Sequence, residues 1–417
     1  MGRAAAPYDV VIVGGGPAGC ATALSLRARA PELSVAIVES RTSWTERIGE
    51  TLPPVATQLL EHLGVAKSFG EQAHRRTHGT AAAWGSGHLA DNDFIYSAKG
   101  CGWHLDRAAF DAMLLREAQR LGAEVMRGLR THSVSPDGER WVVSLAEGVT
   151  VSARTIVDAT GVAAGIARRF GARPEFHDQL AGFTGFFHDA ADGDERTLVE
   201  AFEDGWWYTA PLPEGRRVVA CMTDADVARR IGVFEIDGWK RKLAQTTHIA
   251  QLVRDAQPPA GMFVRPARSR VLSAPCGIRW LAVGDAASSV DPLSSQGICR
   301  ALRGGVFASY AIADSLVRGR RDAHDAYEDF VVAEFAQYLG ARARHYDAER
   351  RWPESPFWRR RRHGTSTAAV SHHVIAAGGA PAAWTTAMPT PTGVAGPLPA
   401  ARRVSIPPAP IARGSST

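Results

Sequence analysis

The chain has 417 residues, and its 45% hydrophobic content is enough to fill the cores of two domains. No run approaches the ~20 consecutive apolar residues that a membrane-spanning helix requires, and the first motif leaves no room for a signal peptide, so we expect a cytoplasmic protein without a membrane partner. The five scattered cysteines indicate neither a zinc site nor a disulfide framework, and we expect no metal. The net charge of +5 reflects arginines near the C-terminus; their run at 359–362 is typical of a solvated helix end, so we expect no nucleic-acid partner.

A short apolar run near the N-terminus is followed at once by G-x-G-x-x-G and a predicted helix, in the order YDVVIVGGGPAGCATA. Gly14 permits the tight turn, Gly16 lets the backbone approach phosphates, and Gly19 lets the helix lie close on the strand. A second predicted strand ends at Glu39, where a carboxylate can accept hydrogen bonds from the ribose of an adenosine. The pattern predicts a dinucleotide, either NAD or FAD, held by Gly14, Gly16, Pro17, Ala18, Gly19 and Glu39.

Two arginines follow at positions suited to the middle of such a ligand. Arg47 lies with Gly49 and Glu50 in a loop before a helix; the loop either reaches the flavin or ribityl end or is an ordinary surface loop. Arg107 occupies the first turn of a helix that Asp106 caps, where a cation opposes the helix dipole unless it serves an anion. We therefore expect Arg47 and Arg107 to lie near the cofactor.

Residues 175–270 form aromatic, β-rich segments that predict an antiparallel sheet, followed by one helix over about 237–255. Within the segment GWWYTAPLP the side chains alternate across the strand. Trp206 and Tyr208 should therefore share one face, and Trp207 should lie on the other. At least one ring is expected in the core, and the other face is a candidate substrate wall.

A second strand, loop and helix unit recurs far from the first, in WLAVGDAASSVDPLSSQGI at 280–298. Its strand ends at Asp285, whose carboxylate suits a ribityl hydroxyl. The loop amides and the helix N-terminus suit the N1/C2=O edge of an isoalloxazine, which becomes anionic on reduction. A nicotinamide enzyme has no need of this unit, whereas an extended FAD does. The residues expected at this end are Gly161, which closes an earlier β-run, Gly284, Asp285, Pro292, Gly297 and Ile298.

These elements predict an α/β fold, α+β overall, with a Rossmann-like FAD-binding domain, an inserted antiparallel β-sheet substrate domain and a C-terminal helical segment. No catalytic acid or base follows from the sequence; the candidates are His104, His78 and Trp206, and a lone histidine is more often structural. The predicted boundaries are 1–73, 100–174 and 271–320 for the FAD-binding domain, 74–99 and 175–270 for the substrate domain, 321–364 for C-terminal helices and 365–417 for a disordered tail.

Several motifs together carry a resemblance to a known family. They are the Gly14 motif with Glu39, RIGETLPP at 47–54, GWHLDRAAFD at 102–111, DATG at 158–161 and GDAASSVDPLSSQGI at 284–298. The chain resembles the FAD-dependent monooxygenase and halogenase superfamily, whose fold is that of p-hydroxybenzoate hydroxylase and geranylgeranyl reductase. GWWYTAPLP and RWPESPFWRR look most like the flavoproteins that mature quinone-cofactor oxidases, similar to lysine-epsilon-oxidase and glycine-oxidase maturases and often grouped with tryptophan halogenases.

The resemblance implies a monooxygenase in which reduced FAD and O2 form a C4a-(hydro)peroxyflavin. Its distal oxygen would be transferred to an electron-rich aromatic, a tryptophan in a partner protein or peptide. Because the chain has one dinucleotide fingerprint, we expect FAD to be reduced by transiently bound NAD(P)H directly or through a separate flavin reductase.

Three alternatives stay open beside the monooxygenase. The halogenase motif W-x-W-x-I-P reads W-W-Y-T-A-P at 206–211, and the lysine that halogenases use is missing from RRTHGTA at 75–81, with Lys67 and Lys99 out of register. Halogenation of tryptophan or another aromatic is therefore disfavoured. A prenyl reductase of the same fold and an inert, FAD-stabilised binding module are the other two.

Overall fold

The computed structural model describes residues 6–43, 48–94, 100–189 and 193–363, which form both strands and helices. The strands are β1 (Ala6–Val13), β2 (Val35–Glu39), β3 (Thr51–Leu52), β4 (Arg75–Thr77), β5 (Gly79–Ala83), β6 (Ala90–Asp93), β7 (Gly102–His104), β8 (Glu124–Arg127), β9 (Thr131–Asp137), β10 (Arg140–Leu145), β11 (Thr150–Asp158), β12 (Pro174–Phe176), β13 (Leu180–Phe187), β14 (Thr197–Phe202), β15 (Gly205–Pro211), β16 (Arg217–Asp224), β17 (Phe263–Pro266), β18 (Arg270–Leu272), β19 (Cys276–Gly277), β20 (Trp280–Ala282) and β21 (Ser288–Ser289). The helices are α1 (Pro17–Arg29), α2 (Ala56–His62), α3 (Ala66–Gly70), α4 (Arg107–Arg120), α5 (Ala225–Ile231), α6 (Ile236–Leu243), α7 (Ile249–Leu252), α8 (Gly297–Leu316), α9 (Ala323–Asp347) and α10 (Pro356–His363). Arg47 and the predicted tail at 365–417 lie outside the described residues.

The first sheet has the parallel arrangement of a nucleotide-binding fold. Five of its eight strands are parallel, in the order β20-β11-β1-β2-β8. The other three pair antiparallel, β19 with β20, β10 with β11, and β9 with β10. Ile12 lies between Ile37 and Val157, and all three side chains are fully buried. Strands covered on both faces in this way need continuous apolar runs, which the sequence has. The predicted Rossmann-like α/β architecture is confirmed, and the carboxyl ends of its central strands meet at one edge.

The second large sheet runs β17-β13-β16-β15-β14-β5-β6 and is antiparallel except for the pair of β14 with β5. Trp207 is fully buried on one face, where its ring centroid lies 5.3 Å from that of Trp239. Trp206 and Tyr208 point to the opposite face, toward a cavity described below. The predicted antiparallel sheet and the alternation of these rings are confirmed, whereas the domain boundaries stay a prediction.

The single helix predicted over 237–255 is wrong. The structure has two helices, α6 and α7, separated by a turn. The Glu200 carboxylate accepts the backbone N–H groups of Thr247, His248 and Ile249 at 2.5, 3.0 and 3.1 Å. These charge-assisted bonds satisfy the free donors at the start of a new helix, and Glu200 comes from a distant strand that no local pattern reveals.

The prediction that residues 359–362 form a solvated helix end is wrong for Arg361. This side chain is 4% exposed, and its Nη2 atom donates to Asp224 Oδ1 at 2.7 Å. Asp224 is itself 1% exposed, and an unpaired carboxylate at that depth would be strongly destabilising. Helix α10 is thereby fixed to the end of β16 by a buried ion pair.

Candidate active site

A cavity of about 760 Å³ is lined by residues of both large sheets. Its volume lies in the range of cofactor and substrate sites, about 300–1,000 Å³. Two predicted residues, Gly19 and Gly284, lie behind its wall, where a Cβ would come within 2.0 Å of Gly14 O and 2.6 Å of Ala18 Cβ, respectively. The predicted cofactor residues that line the cavity are Gly14, Gly16, Pro17, Ala18, Glu39, Arg107, Gly161, Asp285, Pro292, Gly297 and Ile298.

The turn between β1 and α1 is shaped for close approach by a ligand. Gly14 has a φ of 117°, and a Cβ there would lie 2.2 Å from Ala159 O. A Cβ on Gly16, by contrast, would meet no atom within 4 Å, because the open cavity lies over this residue. Helix α1 begins here without a side-chain cap. Its free N–H groups and the positive end of its dipole suit a pyrophosphate.

Glu39 lies beside this turn at the end of β2 and is 5% exposed. Its Oε2 atom accepts the Gly15 N–H at 2.9 Å, and its Oε1 atom accepts the Arg41 N–H at 2.9 Å. A carboxylate has about four acceptor positions; besides these two N–H groups the Ser40 hydroxyl donates to Oε1 at 3.5 Å, and the remaining positions are left for further donors. The two backbone bonds fix its orientation toward the cavity, where ribose hydroxyls can use the others.

The second predicted loop closes the other end of the cavity. Asp291, which is 1% exposed, accepts the Leu293 N–H at 3.0 Å and the Tyr346 hydroxyl at 2.7 Å, and these bonds fix the loop. Helix α8 then begins at Gly297, again without a side-chain cap. Two uncapped helix starts that offer N–H donors, a turn with no room for a Cβ and a buried carboxylate acceptor together fit an extended FAD.

The structure shows Arg107 holding a loop. Its Nη1 atom donates to the carbonyls of Ile48 and Gly49 at 2.9 and 2.8 Å, and its Nη2 atom donates to Asp111 at 3.2 Å. Asp111, four residues along the helix, offsets the unfavourable charge in the first turn of α4. Arg107 also lines the cavity, so a contact between its side chain and the cofactor stays a prediction.

Glu50 and Tyr208 form a polar pair in the cavity wall that the sequence interpretation missed. Glu50 is 2% exposed, and its Oε2 atom accepts the Tyr208 hydroxyl at 3.0 Å. Its Oε1 atom is buried and has no hydrogen-bond partner among the described residues. Burial raises the pKa of Glu50, although the hydrogen bond from Tyr208 and the charge of Arg107 both act to lower it. Burial also raises the pKa of Tyr208. The site therefore contains a carboxyl group that holds a proton more tightly than an exposed one.

The three catalytic candidates occupy different places. His104 is fully buried behind the cavity wall, where its Nε2 atom lies 2.9 Å from Thr197 Oγ1. Burial lowers the pKa of His104 to about 3, so its imidazole is neutral. His78 is exposed and is not part of the cavity lining, because β4 and β5 turn it outward. Trp206 lines the cavity and is 1% exposed, with its indole N–H donated to Tyr346. Neither histidine is thus placed to contact a ligand in this cavity.

A family model described as FAD binding domain matches residues 7–337. The chain belongs to this family. It is also 31% identical over 361 residues to LodB of Marinomonas mediterranea, provisionally named an FAD-dependent oxidoreductase, in a match that covers 85% of this chain and 96% of LodB. The protein is therefore an enzyme, an FAD-binding oxidoreductase of the monooxygenase and halogenase superfamily, and the predicted resemblance is confirmed.

Two solved structures share this fold and differ in the activity named for them. The flavin-dependent halogenase CmlS has a TM-score of 0.77 at 26% identity, covering 85% of this chain and 68% of its own. QhpG, a peptidyl tryptophan dihydroxylase essential for tryptophylquinone cofactor biogenesis, has a TM-score of 0.69 at 25% identity, covering 85% of this chain and 79% of its own. Fold similarity alone does not separate halogenation from hydroxylation.

In the described part of the chain, no helix combines the length and the apolar content needed to cross a bilayer. Nor do the His, Cys, Asp and Glu side chains of residues 6–43, 48–94, 100–189 and 193–363 form a group of three that could hold a metal ion.

Proposed function

We propose that the enzyme is an FAD-dependent monooxygenase that hydroxylates an electron-rich aromatic ring, a tryptophan of a partner protein or peptide. The observation that carries this proposal is Glu50 Oε1, a buried acceptor in the cavity wall without a donor among the described residues. An acceptor left unpaired in that way is destabilising unless a ligand supplies the donor. An indole supplies an N–H together with a flat ring, which suits a wall formed by Trp206 and Tyr208.

In this proposal, the two ends of the cavity have different tasks. Glu39 and the start of α1 bind the ADP half of the cofactor, and the loop from Asp291 to the start of α8 binds the flavin ring. When bound, FAD supplies the activation of O2 that oxygen transfer requires. The sheet face with Trp206 excludes water from the reacting ring.

Glu50 orients the substrate and accepts a proton. Its Oε1 atom accepts the indole N–H, while the Tyr208 hydroxyl holds Oε2 in place. Hydroxylation of an aromatic carbon releases the proton that this carbon carried, and a carboxylate with a raised pKa is a more effective base than an exposed one. The pair therefore joins substrate recognition and proton removal at one side chain.

The comparisons support hydroxylation through the named activity of QhpG, which acts on a peptidyl tryptophan. The alternative, an aromatic halogenase, is supported by the named activity of CmlS. Against halogenation, the lysine that the resemblance requires has no equivalent among the described residues that line the cavity. A prenyl reductase of the same fold would act without net consumption of O2.

Oxygen uptake by the FAD-loaded enzyme, with NAD(P)H supplied alone or through a flavin reductase, tests this proposal. We expect a tryptophan-containing peptide to stimulate uptake, and the same peptide with phenylalanine in place of tryptophan to have no effect. A peptide whose indole nitrogen is methylated should be a poor substrate, because it has no N–H for Glu50. Equal uptake with all three peptides would refute the proposal.

A further inference from the structure

A row of tryptophan and tyrosine side chains leads from the cavity toward the protein surface. Trp206 in the cavity wall donates its indole N–H to the Tyr346 hydroxyl at 3.0 Å. The ring centroid of Tyr346 lies 5.9 Å from that of Trp358, which lies 6.0 Å from that of Trp352. A branch leads to Trp84, whose centroid lies 5.7 Å from Tyr346 and 5.3 Å from Trp358. These five residues are called the aromatic row below.

Exposure changes along the aromatic row. Trp206, Tyr346 and Trp358 are buried, at 1%, 0% and 0% exposure, whereas Trp84 and Trp352 are partly exposed. The inner end, Trp206, borders the cavity that would hold the flavin, and the outer ends, Trp84 and Trp352, reach solvent. The row thus connects the reaction site to the surface through side chains whose rings are the most easily oxidised in proteins.

The middle of the row has a proton acceptor. The Tyr346 hydroxyl donates to Asp291 Oδ2 at 2.7 Å. A phenol that loses an electron becomes a strong acid, so its oxidation needs a base within hydrogen-bond reach. Burial raises the pKa of Asp291, and the Arg342 charge opposes this shift. Asp291 can take the phenolic proton and return it when the ring is reduced again.

We propose that the aromatic row is an electron-transfer path that carries a one-electron oxidising equivalent from the cavity to the surface. The oxidant is a hydroperoxyl radical, formed in the cavity when O2 gains one electron and one proton. It takes an electron from Trp206 and a proton from water, and leaves as H2O2. Tyr346 then reduces Trp206 and gives its proton to Asp291. Trp358 reduces Tyr346, which recovers that proton, and Trp352 or Trp84 reduces Trp358. A thiol in solution finally reduces the outer tryptophan, and two thiols that each supply one electron and one proton form one disulfide.

The proposed role is protection of the site when no substrate is bound. Met222 lines the same cavity, and methionine and cavity-wall aromatics are targets of oxidation. An oxidant that stays in the cavity would damage these side chains, whereas an oxidising equivalent that moves along the aromatic row is reduced by thiols at the surface. This role needs only the FAD that the family binds and does not depend on whether the enzyme hydroxylates or halogenates.

Light absorbed by the bound oxidised FAD supplies a one-electron oxidant on demand, and transient absorption follows the radicals. In the wild-type holoprotein we expect a tryptophan radical followed by a tyrosyl radical, and a shorter tyrosyl lifetime when thiol is added. In Tyr346→Phe the tyrosyl signal should be lost. Trp207→Phe is the matched control, because it changes the neighbouring residue on the opposite face of the sheet, and it should behave as wild type.

A second variant keeps the test independent of how Tyr346→Phe folds. The double variant Trp84→Phe with Trp352→Phe changes only partly exposed rings, and its tyrosyl radical should form but no longer be shortened by thiol. Absence of radicals in the wild type would overturn the proposal. A tyrosyl signal that persists in Tyr346→Phe, or thiol quenching that persists in the double variant, would overturn it as well.

Discussion

Replacing Gly305 by alanine probes the close packing of α1 on α8, the two helices whose starts border the cavity. A Cβ on Gly305 would lie 2.5 Å from Ala18 O, 2.8 Å from Ala21 Cβ and 2.8 Å from Thr22 N. Two of these atoms belong to the backbone of α1 and cannot rotate away. The substitution therefore forces the helices apart. The neighbouring position is different, since a Cβ on Gly304 would have its nearest contact at 3.8 Å, from Gly284 N.

The expected magnitudes follow from two opposing effects. Adding a methyl group to a well-packed core costs about 1–3 kcal/mol, and the rigid backbone contacts of Gly305 place it in the upper part of that range. Alanine is better than glycine inside a helix by about 1 kcal/mol. Gly305→Ala should therefore destabilise the fold by about 1–2 kcal/mol net, and Gly304→Ala should stabilise it by up to about 1 kcal/mol.

Urea unfolding of both variants, with and without FAD, measures this difference. Because Gly305→Ala moves one helix start relative to the other, we also expect weaker FAD binding in that variant, by about tenfold for each 1.4 kcal/mol lost. Gly304→Ala should bind FAD as the wild type does. If the two variants had the same stability and the same FAD affinity, the close packing of α1 on α8 would be contradicted.

Three further predictions concern single side chains. Glu39→Gln should weaken FAD binding about tenfold or more, because hydrogen bonds to a charged group contribute about 1.5–3 kcal/mol. Fluorescence titration with FAD measures this affinity. Glu32 is exposed, so the control variant Glu32→Gln should leave the FAD affinity unchanged. The pKa of His104 is about 3 in the folded state, below the unfolded value near 6.5. The stability that the neutral imidazole contributes is therefore complete above pH 6.5 and is lost as the pH falls. The free energy of unfolding should be about 2 kcal/mol lower at pH 5 for this reason. His104→Gln should remove that loss in urea unfolding, and an unchanged pH dependence would contradict the burial of this imidazole. Glu50 has a raised pKa, so the folded state binds its proton more tightly and its ionisation destabilises the fold as the pH rises. Glu50→Gln should therefore raise the unfolding free energy at pH 7 more than at pH 4. A larger increase at pH 4 than at pH 7 would refute the raised pKa of Glu50.

The cofactor end of the site could be predicted from the sequence because its determinants are local. Gly14, Gly16 and Glu39 lie at the ends of adjacent strands in a pattern whose geometry is fixed by backbone requirements. The start of α8 was recognisable for the same reason, since a strand, a loop and a helix in sequence place amide groups together. Such signals need no knowledge of distant contacts.

The substrate end could not be predicted in the same way. Glu50 and Tyr208 meet across 158 positions of the chain, and no local period indicates that pairing. The sequence makes His104 a candidate because histidine titrates near neutral pH, yet its burial depends on how the β3-β7-β4 sheet packs under the cavity wall. Arg361 was misjudged because its partner, Asp224, lies on another element.

The identity of the product tests the proposed function most directly. The FAD-loaded enzyme would be supplied with reductant, a tryptophan-containing peptide, chloride and isotopically labelled O2, and the peptide would then be examined by mass spectrometry. Hydroxylation predicts a tryptophan that carries labelled oxygen, with a yield that falls in Glu50→Gln. A chlorinated tryptophan, or consumption of O2 without label in the peptide, would contradict it.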